Sequence, residues 1–390
     1  MSVFSIETQG AVSNRDDWVI NPSVQILENA LKNAHHIYHQ DLANFDFNLF
    51  KAKLPKTAKP ADFYKFLDTE INTEGVISWT DELKRNFVKK QRLAEIDLKY
   101  MRTITYRAFV KRVCYFNSEW IVRPREFPSL LPTKESYNVF LCVEYGTPNL
   151  SALITTTITD IGLINVHINA YPLYSDGKEQ SAISSSALFK FKKHYKDESI
   201  SPEDIFYFVY GILHHKGFKQ AYKNFLAKED HRVPLSKDFK KISYLGKELA
   251  LLHLNYENLA ISEELRIFYN DVLVSDLKEI PDEDFRVTKM ELKEERLIYN
   301  EALSVGNIPK KAWEYTLCGK SAIKLYMNAQ RVKVSKKAKD VNGDFIISDP
   351  NDFAGGKYVF LTLLRVISLA VKSVELIEKI STCDYQEKML

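Results

Sequence analysis

The highest concentration of charge in the sequence lies between residues 309 and 340, where nine lysines and arginines stand against two acids, Glu314 and Asp340, a local excess of +7. Such a run repels itself unless an anion faces it. Two chemistries are open to it. Lys310, Lys311, Lys320, Lys333, Lys336 and Lys337 have the side chains that neutralise phosphates. Asn328 and Gln330 have amides suited to a bidentate contact with adenine, while Arg331, Lys320 and Lys333 suit guanine. The competing reading of any single lysine is a solvated charged face.

A second stretch, residues 100–128, interleaves Arg102, Arg107, Lys111, Arg112, Arg123 and Arg125 with Tyr106, Phe109, Tyr115, Phe116 and Trp120. Arginines and aromatics together can hold phosphates and stack on bases. The same alternation suits a strand pair whose aromatics face inward, and that reading leads, so Arg102, Arg107, Lys111 and Arg112 are secondary candidates.

Other reactive types point to no catalysis. His35, His36 and His39 close one helix, yet no cysteine is near them and a helix C-terminus favours histidine without a metal. His214, His215 and His253 sit on or beside apolar helical faces, where histidines are usually satisfied core residues. Gly319-Lys320-Ser321 resembles the end of a phosphate loop, but the glycine required five positions before Gly319 is Glu314. Glu291-Leu292-Lys293 is too common a tripeptide to mark a nuclease, and there is no Gly-rich S-adenosylmethionine loop or Asn-Pro-Pro-Tyr tetrapeptide. Cys114, Cys142, Cys318 and Cys383 form no Cys-x-x-Cys pair, and so imply neither zinc nor a disulfide framework. No catalytic residue, metal or cofactor is expected in this chain.

These residues need elements to hold them. Residues 201–257 open with Ser201, Pro202, Glu203 and Asp204, the chemistry of a helix start. Apolar stripes follow at helical spacing: Ile205, Phe206, Val209, Ile212 and Leu213, then Phe218, Tyr222, Phe225 and Leu226, then Leu245, Leu249, Leu252 and Leu254. Three helices packed face to face are expected. Upstream, residues 137–174 form short runs rich in Val, Ile, Thr and Tyr, expected as strands of one sheet. Residues 285–290 and 296–299 read as a strand pair after an acidic loop, and 358–380 as a core helix, because Arg365 and Lys372 near its middle exclude a membrane span. The expected fold is α+β, a mixed β-sheet lobe followed by a mainly helical lobe with a small strand pair and a long C-terminal helix. Its expected parts are an N-terminal helical and linker segment, 1–128, a β-rich segment, 129–199, and a helical lobe, 200–390. With 390 residues, 45% hydrophobic content, a net charge of +3 and no signal peptide, the sequence is that of a folded cytoplasmic protein rather than a disordered or membrane one.

The order of particular words adds a resemblance. IFYFVYGILHH, Arg232-Val233-Pro234, a Phe239 segment and GKELALLHLNYE are followed by Lys289-Met290, Ile298-Tyr299-Asn300, Asn307-Ile308-Pro309, Ala312-Trp313-Glu314-Tyr315, Gly319-Lys320-Ser321-Ala322 and Asp349-Pro350-Asn351-Asp352. In this order they resemble the C-terminal specificity region of type ISP restriction-modification enzymes, across residues 10–385. Ser13-Asn14-Arg15-Asp16 with Trp18, and Tyr106-Arg107-Ala108-Phe109 with Tyr115-Phe116, extend the resemblance more loosely, since the family has proline where Ala108 stands. The resemblance implies a non-catalytic module that reads a short sequence in double-stranded DNA, with nuclease, translocase and methyltransferase parts supplied by other parts or by a separate polypeptide. It also turns the 309–340 patch as a whole toward DNA. The alternative is a split-gene remnant or interaction module that binds partner restriction-modification domains without selecting DNA.

Overall fold

The computed structural model describes residues 3–14, 16–54, 57, 67, 79–144, 150–165, 167–176, 179–221, 233–340 and 343–385. Tyr222, Phe225, Leu226, Arg232 and Arg15 lie outside them. The helix Pro202–His214 begins as its sequence dictates: Ser201 Oγ accepts from the Asp204 amide at 3.1 Å, and Asp204 Oδ2 accepts from the Ser201 amide at 2.8 Å. This reciprocal cap satisfies two amides that the first turn leaves without partners. The helix packs against Phe239–Leu254 and against the long Tyr358–Ser381. Gly211 and Gly246 meet where the first two cross, and a Cβ on Gly246 would fall 2.1 Å from the Tyr207 carbonyl oxygen.

The strands expected between 137 and 174 divide between two sheets. Phe140–Glu144, Ala152–Thr155 and Ile168–Pro172 form an antiparallel sheet with Thr8–Gln9 at its edge, whereas Ile158–Thr159 pairs in parallel with Met101–Arg107 in a second sheet beside Val110–Tyr115 and Ile20–Asn21. The expectation of a single sheet is thereby corrected. The corner after Thr155, which redirects the chain, is held by hydroxyls: Thr105 Oγ1 lies 2.7 Å from Thr155 Oγ1 and 2.6 Å from Thr157 Oγ1. Both sheets draw strands from either side of residue 128, and one apolar core runs from Val3 to Cys383.

The C-terminal half holds more strand than a pair. Arg296–Ile298 pairs with Glu291–Lys293, not with 285–290, and both belong to a five-stranded antiparallel sheet with Leu303–Gly306, Arg266–Tyr269 and Val272–Val274. Residues 285–290 are instead held by side chains, with Asn351 accepting from the Val287 amide at 2.8 Å and donating to its carbonyl at 2.7 Å. Lys333–Asp340 and Gly343–Ser348 make a separate two-stranded antiparallel ribbon. No helix among the described residues is long and apolar enough to cross a membrane.

Candidate nucleic-acid interface

The basic patch is built on a short scaffold. After the single-turn helix Lys310–Trp313, the chain makes the hairpin Thr316–Leu317 and Lys320–Ser321, whose turn places Cys318 and Gly319 at φ 50° and 74°. Ser321 then caps the helix Ala322–Ala329, its Oγ accepting from the Lys324 amide at 3.3 Å. Gly319-Lys320-Ser321 is therefore a turn and a helix cap. The helix buries Ala322, Ile323, Tyr326 and Met327, and Tyr326 donates to the Val359 carbonyl at 3.0 Å. That leaves Lys324 and Asn328, one turn apart on the opposite face, exposed together with Lys310, Lys320 and Arg331. Those four cations have no ion pair among the described residues, whereas Lys311 is paired with Glu378 at 2.7 Å. Nothing in the sequence separates Lys324 from its basic neighbours, because only the fold shows which helix face is free.

Gln330 is not on that surface. It is 1% exposed, and its Oε1 accepts at 2.6 Å from Arg112, itself 4% exposed. A side chain so enclosed cannot reach a base edge, which corrects the expectation that Gln330 reads one. Burial pushes the Arg112 pKa down to about 10, which leaves it protonated at neutral pH.

Arg102, Arg107 and Lys111, the other candidates of the 100–128 stretch, are half-buried and bound to the protein itself, whereas Arg123 is exposed. Arg102 donates to the carbonyls of Leu131 at 3.0 Å and Thr133 at 2.5 Å. Arg107 lies 2.5 Å from Asp160, 3.7 Å from Asp16 and 3.8 Å above the Tyr106 ring. Lys111 pairs with Glu257. Packing, the leading reading of this stretch, is what these contacts describe. At the hairpin turn Phe109 takes φ 61° and inserts its ring among His253, Tyr256 and Tyr315, so the turn plugs the helical core. Asp160 carries a pKa raised to about 6, chiefly by burial, which outweighs the pull of Arg107.

Two of the candidate histidines are held by contacts of the fold. His253 lies 2.5 Å from the Tyr210 hydroxyl and 2.9 Å from Ser373 Oγ, and His215 lies 3.0 Å from the Cys383 carbonyl. Among the described residues no cluster of three or more histidine, cysteine or acidic groups could hold a metal.

Beyond Gln330 the chain enters the ribbon, and both of its legs are tied down. The Val332 amide donates to the Thr288 carbonyl at 2.9 Å. On the return leg, Asn21 donates to the Ile347 carbonyl at 2.8 Å, and Asp349 accepts from Arg286 at 2.5 Å while also accepting from the Asn351 amide at 2.9 Å. The Asp349-Pro350-Asn351-Asp352 turn is thus part of the ribbon's footing. Lys333 is half-buried, and the side chains of Lys336 and Lys337 lie outside the described residues. The ties come from residues 21, 112, 286 and 288, far apart in sequence and gathered by the fold.

Two solved structures share this architecture closely. A nuclease-deletion mutant of the Type ISP restriction-modification enzyme LlaGI, in complex with a DNA substrate mimic, is 26% identical with a TM-score of 0.80, over 98% of this chain and 28% of that one. The ATP-dependent Type ISP restriction-modification enzyme LlaBIII, bound to DNA, is 29% identical with a TM-score of 0.79, over 99% of this chain and 24% of that one. A DrdV–DNA complex, 23% identical with a TM-score of 0.75 over 96% of this chain and 36% of that one, shares the fold. This chain therefore spans about a quarter of the length of the first two relatives. No curated protein matches it. The profile of the Type ISP C-terminal specificity domain matches residues 2–357, and the chain belongs to that family.

Proposed function

We propose that this chain reads a short sequence in duplex DNA for a type ISP restriction-modification enzyme, with the chemistry performed by other parts of that enzyme or by another polypeptide. One observation carries the reading. A free cationic helix face, with Lys324 and Asn328, leads through exposed Arg331 directly into a basic ribbon that begins at Lys333 and is footed on both legs. Lysines supply affinity for phosphates, which is independent of sequence and falls with salt. Discrimination needs polar groups held in fixed positions at base edges. The major groove admits a two-stranded ribbon. The eight residues of Lys333–Asp340 would extend about 25 Å at the usual rise of a strand.

Selection of duplexes from a random pool by the 390-residue chain tests this reading. A defined sequence should emerge. Replacing Lys333, Lys336 and Lys337 together by Ala should weaken all duplexes alike and flatten the salt dependence, whereas Arg331→Ala should cost roughly 1–3 kcal/mol on the selected sequence alone. If the triple variant binds as tightly as the parent at every salt concentration, the ribbon does not carry DNA affinity.

A further inference from the structure

Arg112 occupies an environment that holding two layers together does not require. It leaves the strand Val110–Tyr115 and is 4% exposed. Its guanidinium donates to Gln330 Oε1 at 2.6 Å, to the Ala329 carbonyl at 3.1 Å and to the Lys111 carbonyl at 2.9 Å. No carboxylate among the described residues pairs with it. A buried cation without a counter-ion is costly, and an apolar side chain of similar volume commonly packs as well or better. Its compensation is the C-terminal end of Ala322–Ala329, where carbonyl groups without helical partners favour a cation.

The guanidinium also supplies direction. The planar guanidinium fork fixes the directions of its donors: Nη1 donates to the Lys111 carbonyl on its own strand, and Nη2 donates to the last helical residue, Ala329, and to Gln330, the residue that caps it. Arg331 follows immediately, and Val332 is then pinned to Thr288. The path of the chain between helix and ribbon is therefore set by Arg112 at residues 329 and 330 and by Thr288 at residue 332. A lysine on a long flexible arm finds a phosphate despite a small displacement of its backbone. A bidentate base contact does not tolerate one.

We infer that Arg112, with Gln330 as its acceptor, is a positioning residue for sequence readout: it aims Arg331 and the start of the ribbon at the base edges without touching DNA. The inference rests on the DNA-recognition reading above.

The test uses the full chain, a duplex it selects from a random pool, and a scrambled duplex of the same composition. Arg112→Lys keeps the charge but loses the fork. It should bind the scrambled duplex as the parent does, with the same salt slope, while its preference for the selected duplex falls roughly tenfold to a hundredfold, the value of about one base pair. Gln330→Met removes the acceptor without charging the site and should do the same, which keeps the test open if Arg112→Lys does not fold. Gln330→Glu keeps an acceptor in place and should retain the parent's preferred sequence in a repeated selection. The inference is overturned if both weakening variants keep the parent's preference, or if they lose thermal stability, salt slope and preference together. It is also overturned if Gln330→Glu selects a different base, since Gln330 would then be reading DNA itself. Should the parent select no sequence, the DNA-recognition reading fails first and the inference falls with it.

Discussion

Gly246→Ala probes the crossing on which the helical lobe is built. The added Cβ would lie 2.1 Å from the Tyr207 carbonyl oxygen, 3.0 Å from the Gly211 amide nitrogen and 3.1 Å from the Gly211 Cα. All three are backbone atoms, so no side chain can swing aside. The helices Pro202–His214 and Phe239–Leu254 must move apart, and the buried groups on either side of the crossing, Phe208, Ile242 and Leu249 among them, lose contact as they do. Overpacking of this kind costs about 1–3 kcal/mol, and a backbone obstacle puts the cost at the upper end. Alanine regains about 1 kcal/mol of intrinsic helix preference. The net expectation is a loss of about 2 kcal/mol, read as a lower urea midpoint at unchanged m-value. Gly356→Ala, in the turn before Tyr358–Ser381, is the control for an unobstructed glycine, because its Cβ would meet only the Asp282 carbonyl oxygen at an ordinary 3.6 Å. Equal midpoints for Gly246→Ala and the parent would refute the close crossing.

Three further outcomes follow from other parts of the molecule. Burial pushes the His214 pKa down to about 3, so below about pH 6.5 the unfolded chain takes up a proton that the folded chain refuses. Stability is then lost as pH falls from about 6.5, by about 1.4 kcal/mol per unit from this residue, and His214→Gln should flatten the urea midpoint against pH between about 6.5 and 5 by that slope. Asn351→Ala leaves the Val287 amide and carbonyl without their partners and should cost about 2–4 kcal/mol, whereas exposed Asp352→Ala should stay within about 0.5 kcal/mol in the same unfolding assay. Replacing Lys320 and Lys324 together by Ala should lower the slope of log affinity against log salt by about two if each meets a phosphate; an unchanged slope would make them a solvated face.

How much of this was legible in the sequence depended on whether a signal was local. The Ser201 cap, the first and third apolar stripes and the +7 patch lie within a few dozen residues each, and the sequence shows them directly. The sharing of strands between sheets was not legible, because Ile158–Thr159 and Ala152–Thr155 carry the same β-forming residues and only the hydroxyl corner between them sends one toward Met101–Arg107. Nor was the strand at Glu291–Lys293: Val287 and Met290 look like strand residues, yet residue 287 is claimed by Asn351 across 64 positions. Gln330 failed for the same reason. Its type is right for reading adenine, and nothing within about thirty residues says that an arginine 218 positions away already holds it.

That failure bears on how the interface works. A polar residue inside a basic run reads as a contact when all of the run is assumed to face outward. In the fold it faces inward, and its partner is a buried cation with no acid beside it. On the proposed DNA-recognition reading, affinity and selectivity have different supports: Lys320 and Lys324 stand on the hairpin and helix joined at Ser321, whereas the path of Arg331 is fixed by Arg112 on one side and Thr288 on the other. Damage to the long-range ties should therefore erase selectivity before affinity. Asn21→Ala offers a case on the other leg of the ribbon: Asn21 pairs with Val113, next to Arg112, and its loss frees the Ile347 carbonyl on the return leg together with the Ser23 amide. Binding to the scrambled duplex should persist at the parent's salt slope while preference for the selected duplex narrows. Loss of both in parallel would mean that the ribbon's footing supports the fold alone, and that selectivity resides in the helix face.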